Sequence, residues 1–154
     1  LPQHVSRLVP ATGDLSVAAE GLAGPNGLAF SPDESRLYIV ESLAAPNRLI
    51  HAYDVINGGK ALSSKKLLID CGAGTSDGLR VDTGGNLWCG WGMGSDDLDG
   101  VMVFNDGGKA IGRIALPERC ANLCFGGAMR NRLFMASSQS LYALYVDAQG
   151  ATLS

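Results

Sequence analysis

Residues 25–40 read PNGLAFSPDESRLYIV, a stretch in which turn-forming residues alternate with short apolar runs. Asn26 lies between Pro25 and Gly27, two residues before the start of the apolar run LAF. Proline, asparagine and glycine are all common in tight turns, so these residues alone predict a turn followed by a strand. Whether the Asn26 amide has a further role depends on the rest of the chain.

The same pattern occurs twice more along the chain. SDGLRVDTGGNLWCG begins at position 76 and ANLCFGGAMRNRLFMA begins at position 121. Each copy has Pro or a small residue, then Asn or Asp, a short apolar strand, a polar turn and a Leu-aromatic pair. Asn26, Asp77 and Asn122 therefore fall in register, 51 and 45 residues apart. Two more strand-like runs, RLIHAYDV and KKLLID, separate the first two copies, and four strands per repeat are typical of a propeller blade.

The repeat predicts an all-β chain that belongs to one β-propeller domain. Blade-like repeats are expected near residues 22–70, 73–118 and 120–154, after two strands of another blade. They make about three to three and a half blades, whereas a ring normally needs at least four. The chain is therefore expected to be about half of a propeller. A sandwich of about a dozen strands would match the strand count, but it would not explain the register of the three copies.

The composition excludes several classes of function. The chain has 154 residues, 46% of them apolar and 18% charged, with a net charge of −3. No basic patch is visible, so a nucleic-acid partner is not expected. The apolar runs are too short to cross a membrane. A soluble protein is expected, with the cytoplasm preferred to the periplasm. Because the first residue is Leu1, the chain is expected to be processed, clipped or excerpted.

The four cysteines are interpreted as structural thiols. Cys89 and Cys124 lie in apolar strand-like runs, where a buried thiol behaves as a small hydrophobic group. Cys120 and Cys124 have a spacing that resembles half of a zinc site, but no second pair of ligands accompanies them.

The repeated motifs resemble a known family. PNGLAFSPDESRLYIVES, SDGLRVDTGGNLW and the long stretch from GVMVFNDGGK to SQSLYAL are similar to the gluconolactonase branch of the SMP-30 (regucalcin) lactonases, over residues from about 20 to 145. The resemblance implies a six-bladed propeller, of which this chain is the C-terminal half. It also implies one divalent metal ion at the top of the channel, Ca²⁺ in preference to Zn²⁺ or Mg²⁺. The remaining N-terminal half would be the partner of this chain and would supply a further glutamate ligand.

The resemblance assigns the metal ligands Asn26 and Asp77, with Ser76 where the family more often has Pro. The residues themselves support this assignment. In a propeller the innermost strands start at the same face, so their first residues converge, and an amide and a carboxylate oxygen suit a hard cation. Glu20, which lies at the end of an outer strand, is interpreted as a solvated residue.

By the same resemblance, the activity expected is hydrolysis of a sugar lactone. The metal would polarise the ring carbonyl, and Asp77 would hold the metal and accept a proton from the attacking water. Asn122 and Arg80 are candidate substrate-channel residues. Asn122 could instead bond the backbone of the neighbouring blade, and Arg80 could form an ion pair. Two other functions remain open, a calcium-binding or interaction propeller without catalysis and a phosphotriesterase-like hydrolase.

Overall fold

The computed structural model describes residues 2–152, which fold into antiparallel β-strands arranged in four sheets. The helical structure in this range is limited to a 3-10 helix at Asp96–Leu98. No helix in the described range has the length and apolar character needed to cross a membrane.

The sheets follow one another along the chain. The first sheet is formed by β1 (Val5–Val9) and β2 (Asp14–Ala19). The second contains β3 (Pro25–Phe30), β4 (Arg36–Glu41), β5 (Leu49–Ile56), β6 (Ala61–Leu62) and β7 (Lys66–Asp70). The third contains β8 (Thr75–Val81), β9 (Leu87–Gly92), β10 (Gly100–Phe104) and β11 (Ala110–Ala115). The fourth contains β12 (Cys120–Gly126), β13 (Arg132–Ser137) and β14 (Leu141–Tyr145).

Within the second, third and fourth sheets, strands are added in chain order starting from β3, β8 and β12, except that β7 pairs with β5 alongside the short β6. These three first strands pack against one another, β3 against β8 and β8 against β12. The three sheets therefore radiate from a shared inner edge, which is the arrangement of propeller blades. The all-β propeller fold predicted from the sequence is confirmed.

Three apolar clusters fill the spaces between consecutive sheets. On β4, Leu37 and Ile39 belong to the cluster shared with the first sheet, whereas Tyr38 and Val40 belong to the cluster shared with the third. Both faces of this strand are buried, because successive side chains of a strand point to opposite faces. This explains why the run RLYIVE does not alternate between apolar and polar residues.

The two tryptophans belong to the apolar clusters between sheets. Trp91 lies against Phe104, with ring centroids 5.6 Å apart, between the second and third sheets. Trp88 makes an edge-to-face contact with Phe125 at 5.4 Å, between the third and fourth sheets. Such aromatic pairs add to the stability that apolar burial gives each inter-sheet contact.

After β14 the chain returns to the third sheet. Gly150 forms a β-bridge with Asp82, and the Ala151 N–H donates to the carbonyl of Val81 at 2.9 Å. Residues 149–151 thus pair with the end of β8, although the sequence pattern groups them with the third repeat. The tail thereby ties the fourth sheet to the third.

The first and last sheets of the series expose apolar side chains. Leu15 on β2, and Leu141 and Tyr145 on β14, are each 70% exposed. The second and third sheets lie between two neighbours and bury both faces, whereas the first and fourth have a neighbour on one side only. The exposed apolar surface is a consequence of this position at the two ends of the series.

Candidate functional site

The innermost strands share an irregularity at the end where the predicted site residues lie. The pairing register shifts at Asn26 in β3, at Asp77 in β8 and just before Asn122 in β12. A bulge inserts one residue into a strand and re-aims the side chain that it carries. The three sequence-predicted positions therefore occupy or follow bulges at corresponding points of three adjacent strands.

Glycines allow these strand ends to approach closely. A Cβ atom on Gly27 would overlap the backbone carbonyl oxygen of Asp77, and one on Gly78 would overlap the side chain of Asn122. Only glycine permits such contact between backbones. The start of β8 consequently lies directly against the start of β3 on one side and that of β12 on the other.

Asn26 presents its amide group to solvent. The residue is exposed, and its side chain makes no hydrogen bond to any other residue in the range 2–152. Turn-forming asparagines commonly bond their own backbone two residues on. The Asn26 amide makes no such bond, so its oxygen is free to accept an external partner.

Asp77 is paired with an arginine that the sequence analysis did not identify. Nη2 of Arg119 donates to Oδ2 of Asp77 at 2.5 Å, and the Asp77 side chain is 20% exposed. Arg119 immediately precedes β12 and lies 42 residues from Asp77. The sequence does distinguish this arginine from the other two copies of the repeat. The position three residues before the site residue is a small residue in the first two copies, Ala23 and Gly74, but Arg119 in the third.

Asn122 and Arg80 come together in one cleft. This cleft of about 270 Å³ beside the fourth sheet is lined by both residues and by Phe134. The Oδ1 atom of Asn122 also accepts a hydrogen bond from the Leu123 N–H at 2.8 Å. Arg80 is exposed and, among the described residues, forms no ion pair, while its guanidinium donates to the Leu79 carbonyl at 2.7 Å.

The prediction that Cys124 is buried is wrong. Cys124 is exposed and lines the cleft of Arg80 and Asn122, because alternate residues of the innermost strand β12 face the open side. Cys71, Cys89 and Cys120 are buried free thiols, as expected of structural residues. Burial raises the pKa of Cys89 to about 12 and that of Cys71 to about 11, which keeps both thiols protonated at neutral pH.

A buried network that the sequence analysis also missed holds the segment before Asn26. The Glu41 carboxylate accepts the Ala23 N–H at 2.7 Å and contacts Nε2 of His51 at 2.5 Å. Nζ of Lys65 lies 3.9 Å from the same carboxylate. Burial alone would raise the pKa of Glu41, but its hydrogen bonds with Ala23 and His51, and the charge of Lys65, lower it overall. Glu41 therefore anchors the chain three residues upstream of Asn26.

The residues present fit a hard cation. Asn26 and Asp77 offer an amide and a carboxylate oxygen on neighbouring strands, and oxygen ligands suit Ca²⁺ or Mg²⁺ better than Zn²⁺, which prefers nitrogen and sulfur. Within residues 2–152, no group of three or more His, Cys, Asp or Glu side chains is placed to hold a metal ion. This chain would thus contribute one carboxylate, supplemented by amide oxygens.

Comparison with known proteins agrees with this architecture. The family described as the SMP-30/Gluconolactonase/LRE-like region matches residues 2–139. The chain belongs to this family. A gluconolactonase of Zymomonas mobilis is 34% identical over 147 residues, which cover 89% of this chain and 38% of the relative.

Solved structures give the same result. A gluconolactonase from Xanthomonas campestris superimposes with a TM-score of 0.80 at 34% identity, covering 94% of this chain and 44% of the other. A calcium-binding regucalcin from Agrobacterium tumefaciens superimposes equally well, with a TM-score of 0.80, but its 17% identity shows the shared fold alone. The chain spans less than half the length of these two gluconolactonases.

Proposed function

We propose that the protein containing this chain hydrolyses a sugar lactone, with a divalent cation held by Asn26 and Asp77. The observation that carries the proposal is the juxtaposition of an unpaired amide with a partly exposed carboxylate at the bulged starts of adjacent inner strands. Membership of a family that includes named gluconolactonases supports the substrate class.

Each residue has a separate task in this proposal. Asn26 and Asp77 supply oxygen ligands, for which Ca²⁺ is the preferred ion. When bound, the cation provides a Lewis acid that polarises the lactone carbonyl. Asp77 also accepts the proton of the attacking water. A carboxylate has about four lone-pair sites, so the single bond from Arg119 to Oδ2 leaves sites for both tasks.

Substrate contacts are assigned to the cleft beside the fourth sheet. The Arg80 guanidinium has donors that suit the hydroxyl groups of a sugar lactone and the carboxylate formed when its ring opens. The Asn122 amide retains its NH₂ group for the same substrate, because its oxygen accepts the Leu123 N–H. Arg80 lies on β8, the inner strand next to that of Asn26, and Asn122 lies on β12, one inner strand further.

The rest of the ring is the proposed partner of this chain. Leu15, Leu141 and Tyr145 expose apolar surface at the two ends of the series of sheets. Long exposed apolar surfaces and strand edges favour association in water. Further blades that cover these faces would close the channel and complete the set of cation ligands, since two ligands alone make an incomplete site.

The test is a hydrolysis assay on the complete protein that contains this chain. Acid release from glucono-1,5-lactone is followed at constant pH, first with calcium, then with a chelator, and again after calcium is restored. We expect turnover that chelation abolishes and calcium restores. Asp77→Asn should lower kcat about 100-fold or more, because it removes the ligand charge and the proton acceptor. Asp147→Asn, which changes an exposed aspartate in the same way, should have no effect.

Two other results would redirect the proposal. Calcium binding measured by calorimetry without turnover of any lactone would indicate a binding propeller. Turnover of a phosphotriester in preference to the lactone would indicate a phosphotriesterase-like hydrolase instead. Activity that is unchanged by chelation and by Asp77→Asn would contradict the proposed site altogether.

A further inference from the structure

Arg119 reaches from the fourth sheet to a candidate ligand on the third. Its guanidinium is bonded to Oδ2 of Asp77 at 2.5 Å, and the side chain is 32% exposed. Hydrogen bonds between charged partners are stronger than neutral ones, and a guanidinium offers its donors in a rigid planar fork. The contact therefore restricts the rotation of the Asp77 carboxylate.

The backbone of Arg119 is itself fixed. The carboxylate of Glu118 accepts the Gln139 N–H at 2.6 Å and the Tyr142 hydroxyl at 2.9 Å, and the Ser138 N–H donates to the Arg119 carbonyl at 3.2 Å. The connection from β11 to β12 is thus bound to the fourth sheet on one side, while Arg119 extends on the other. This anchoring gives the arginine a defined position relative to β8.

The third sheet accommodates the arginine stem. A Cβ atom on Gly92, at the end of β9, would overlap Cγ of Arg119. The Nε atom of Arg119 is buried and has no hydrogen-bond partner in residues 2–152. Because a buried donor without a partner costs stability, the side chain is not placed for the best hydrogen bonding of the fold. The guanidinium is instead bonded to Asp77.

We propose that Arg119 is a positioning residue, which binds Oδ2 of Asp77 and so presents Oδ1 to the cation and to the attacking water. The inference rests on the proposed role of Asp77. Without the arginine, the carboxylate could turn and give both oxygens to the cation, and a positive charge beside the cation would be lost. Cation affinity should then rise while turnover falls, and this opposite response distinguishes positioning from a merely structural role.

The experiment compares Arg119→Met with Arg113→Met in the complete protein. Arg113 is an exposed arginine on β11, so its substitution removes the same charge away from Asp77. Calcium affinity is measured by calorimetry, kcat and KM on glucono-1,5-lactone, and Tm by thermal unfolding. For Arg119→Met we expect calcium to bind about three- to tenfold more tightly, because a nearby like charge is removed. We expect kcat to fall about 10- to 100-fold with a small change in KM.

Arg119→Lys provides the second variant. It retains the charge and the stem but offers a single point donor, so kcat should recover in part and calcium affinity should return towards the wild-type value. Should Arg119→Met fail to fold, Arg119→Lys still tests the proposal, since a kcat equal to wild type would overturn it. Weaker calcium binding together with a lower Tm in Arg119→Met would also overturn it, because that result indicates a structural role.

Failure of the proposed function gives a different pattern. If the wild-type protein neither binds calcium nor hydrolyses the lactone, the role of Asp77 falls, and the inference about Arg119 falls with it. If the wild-type protein does both and Arg119→Met changes neither, the proposed function stands and the positioning role alone is refuted.

Discussion

Two aspartates near opposite ends of β8 have contrasting surroundings. Asp82, just beyond the strand, is 3% exposed and accepts hydrogen bonds from the Asn86 N–H at 2.8 Å and from Nε1 of Trp88 at 2.9 Å. Asp77, in the bulge at the start of the strand, is 20% exposed and accepts a side-chain hydrogen bond from Arg119. The two aspartates, five positions apart, thus differ in their hydrogen bonding. The Asp82 carboxylate is buried with both oxygens hydrogen-bonded (saturated), whereas the Asp77 carboxylate is partly exposed and has unfilled acceptor sites (open).

The difference separates two uses of a carboxylate. A buried carboxylate whose oxygens are filled by the surrounding turn stabilises that turn, and it has nothing left to offer a ligand. A partly exposed carboxylate in a bulge that accepts a single side-chain hydrogen bond retains lone pairs for a ligand. Both residues lie at an end of the same inner strand, so the proposed role of Asp77 rests on the difference in hydrogen-bond partners and not on the strand.

The largest effect is expected when each aspartate is exchanged for asparagine. One variant should mainly lose stability and the other mainly lose activity. Asp82→Asn should lower the free energy of unfolding by about 1–3 kcal/mol, because a buried hydrogen-bonded charge is lost, and should leave kcat per folded molecule unchanged. Asp77→Asn should change the free energy of unfolding by less than about 0.5 kcal/mol, because the ion pair is partly exposed, while kcat falls about 100-fold. Urea unfolding and steady-state kinetics on the complete protein measure both.

The reverse pattern would remove the distinction. If Asp82→Asn abolished turnover of the folded protein, or Asp77→Asn mainly destabilised it, saturation of hydrogen bonds would not identify the functional carboxylate. Parallel losses of both quantities in both variants would have the same consequence.

The second largest effect is expected from a substitution at Gly27, where β3 lies closest to β8 beside Asp77. Gly27→Ala places a methyl group against the Asp77 carbonyl, so the two backbones must separate, which should cost about 1–3 kcal/mol of unfolding free energy and lower calcium affinity. Gly112→Ala is the matched control, since its Cβ would lie an ordinary 3.7 Å from Cβ of Val103. Calorimetry and urea unfolding of the complete protein would contradict this account if Gly27→Ala behaved like Gly112→Ala.

Much of this architecture could be predicted from the sequence because it repeats. The register of Asn26, Asp77 and Asn122 predicted the three inner strands and their order along the chain. These features depend on residues close together in the chain, where turn chemistry and strand pattern are informative.

The missed features depend on contacts between distant residues. Arg119 and Glu118 lie in the β11–β12 connection, and although Arg119 differs from Ala23 and Gly74 at the matching repeat positions, that difference does not show that its side chain reaches Asp77. The partnership of Glu41 with His51 requires that β4 and β5 pair in a particular register, which pattern alone does not give. Cys124 was misassigned because an innermost strand has one open face, whereas an apolar run suggests two buried ones.

The smallest effect is expected for the substitution of Glu41. Like Asp82, this residue has a buried carboxylate whose oxygens are already bonded, so it extends the comparison to a second saturated carboxylate. Glu41 lies at the end of β4 and pairs with Pro25 across from β3, yet its contacts with Ala23, His51 and Lys65 leave it buried, 7% exposed. A carboxylate near Asn26 is therefore not necessarily exposed or free to bind a ligand. Glu41→Gln should lower the free energy of unfolding at pH 7 by about 1–2 kcal/mol, because the charge-assisted bonds are weakened.

The pH dependence of that loss follows from the direction of the pKa shift. The pKa of folded Glu41 is below its ordinary value of 4.5, so the carboxylate's contribution is fully present above that pH and disappears as the pH falls through the folded-state value. The difference in unfolding free energy between wild type and Glu41→Gln, measured in urea from pH 7 to pH 3, should consequently be constant down to about pH 5 and shrink below it. Glu20→Gln removes an exposed charge and should give no such trend. A difference that grows on acidification would mean that burial outweighs the hydrogen bonds of Glu41, and that this carboxylate is not saturated in the way Asp82 is.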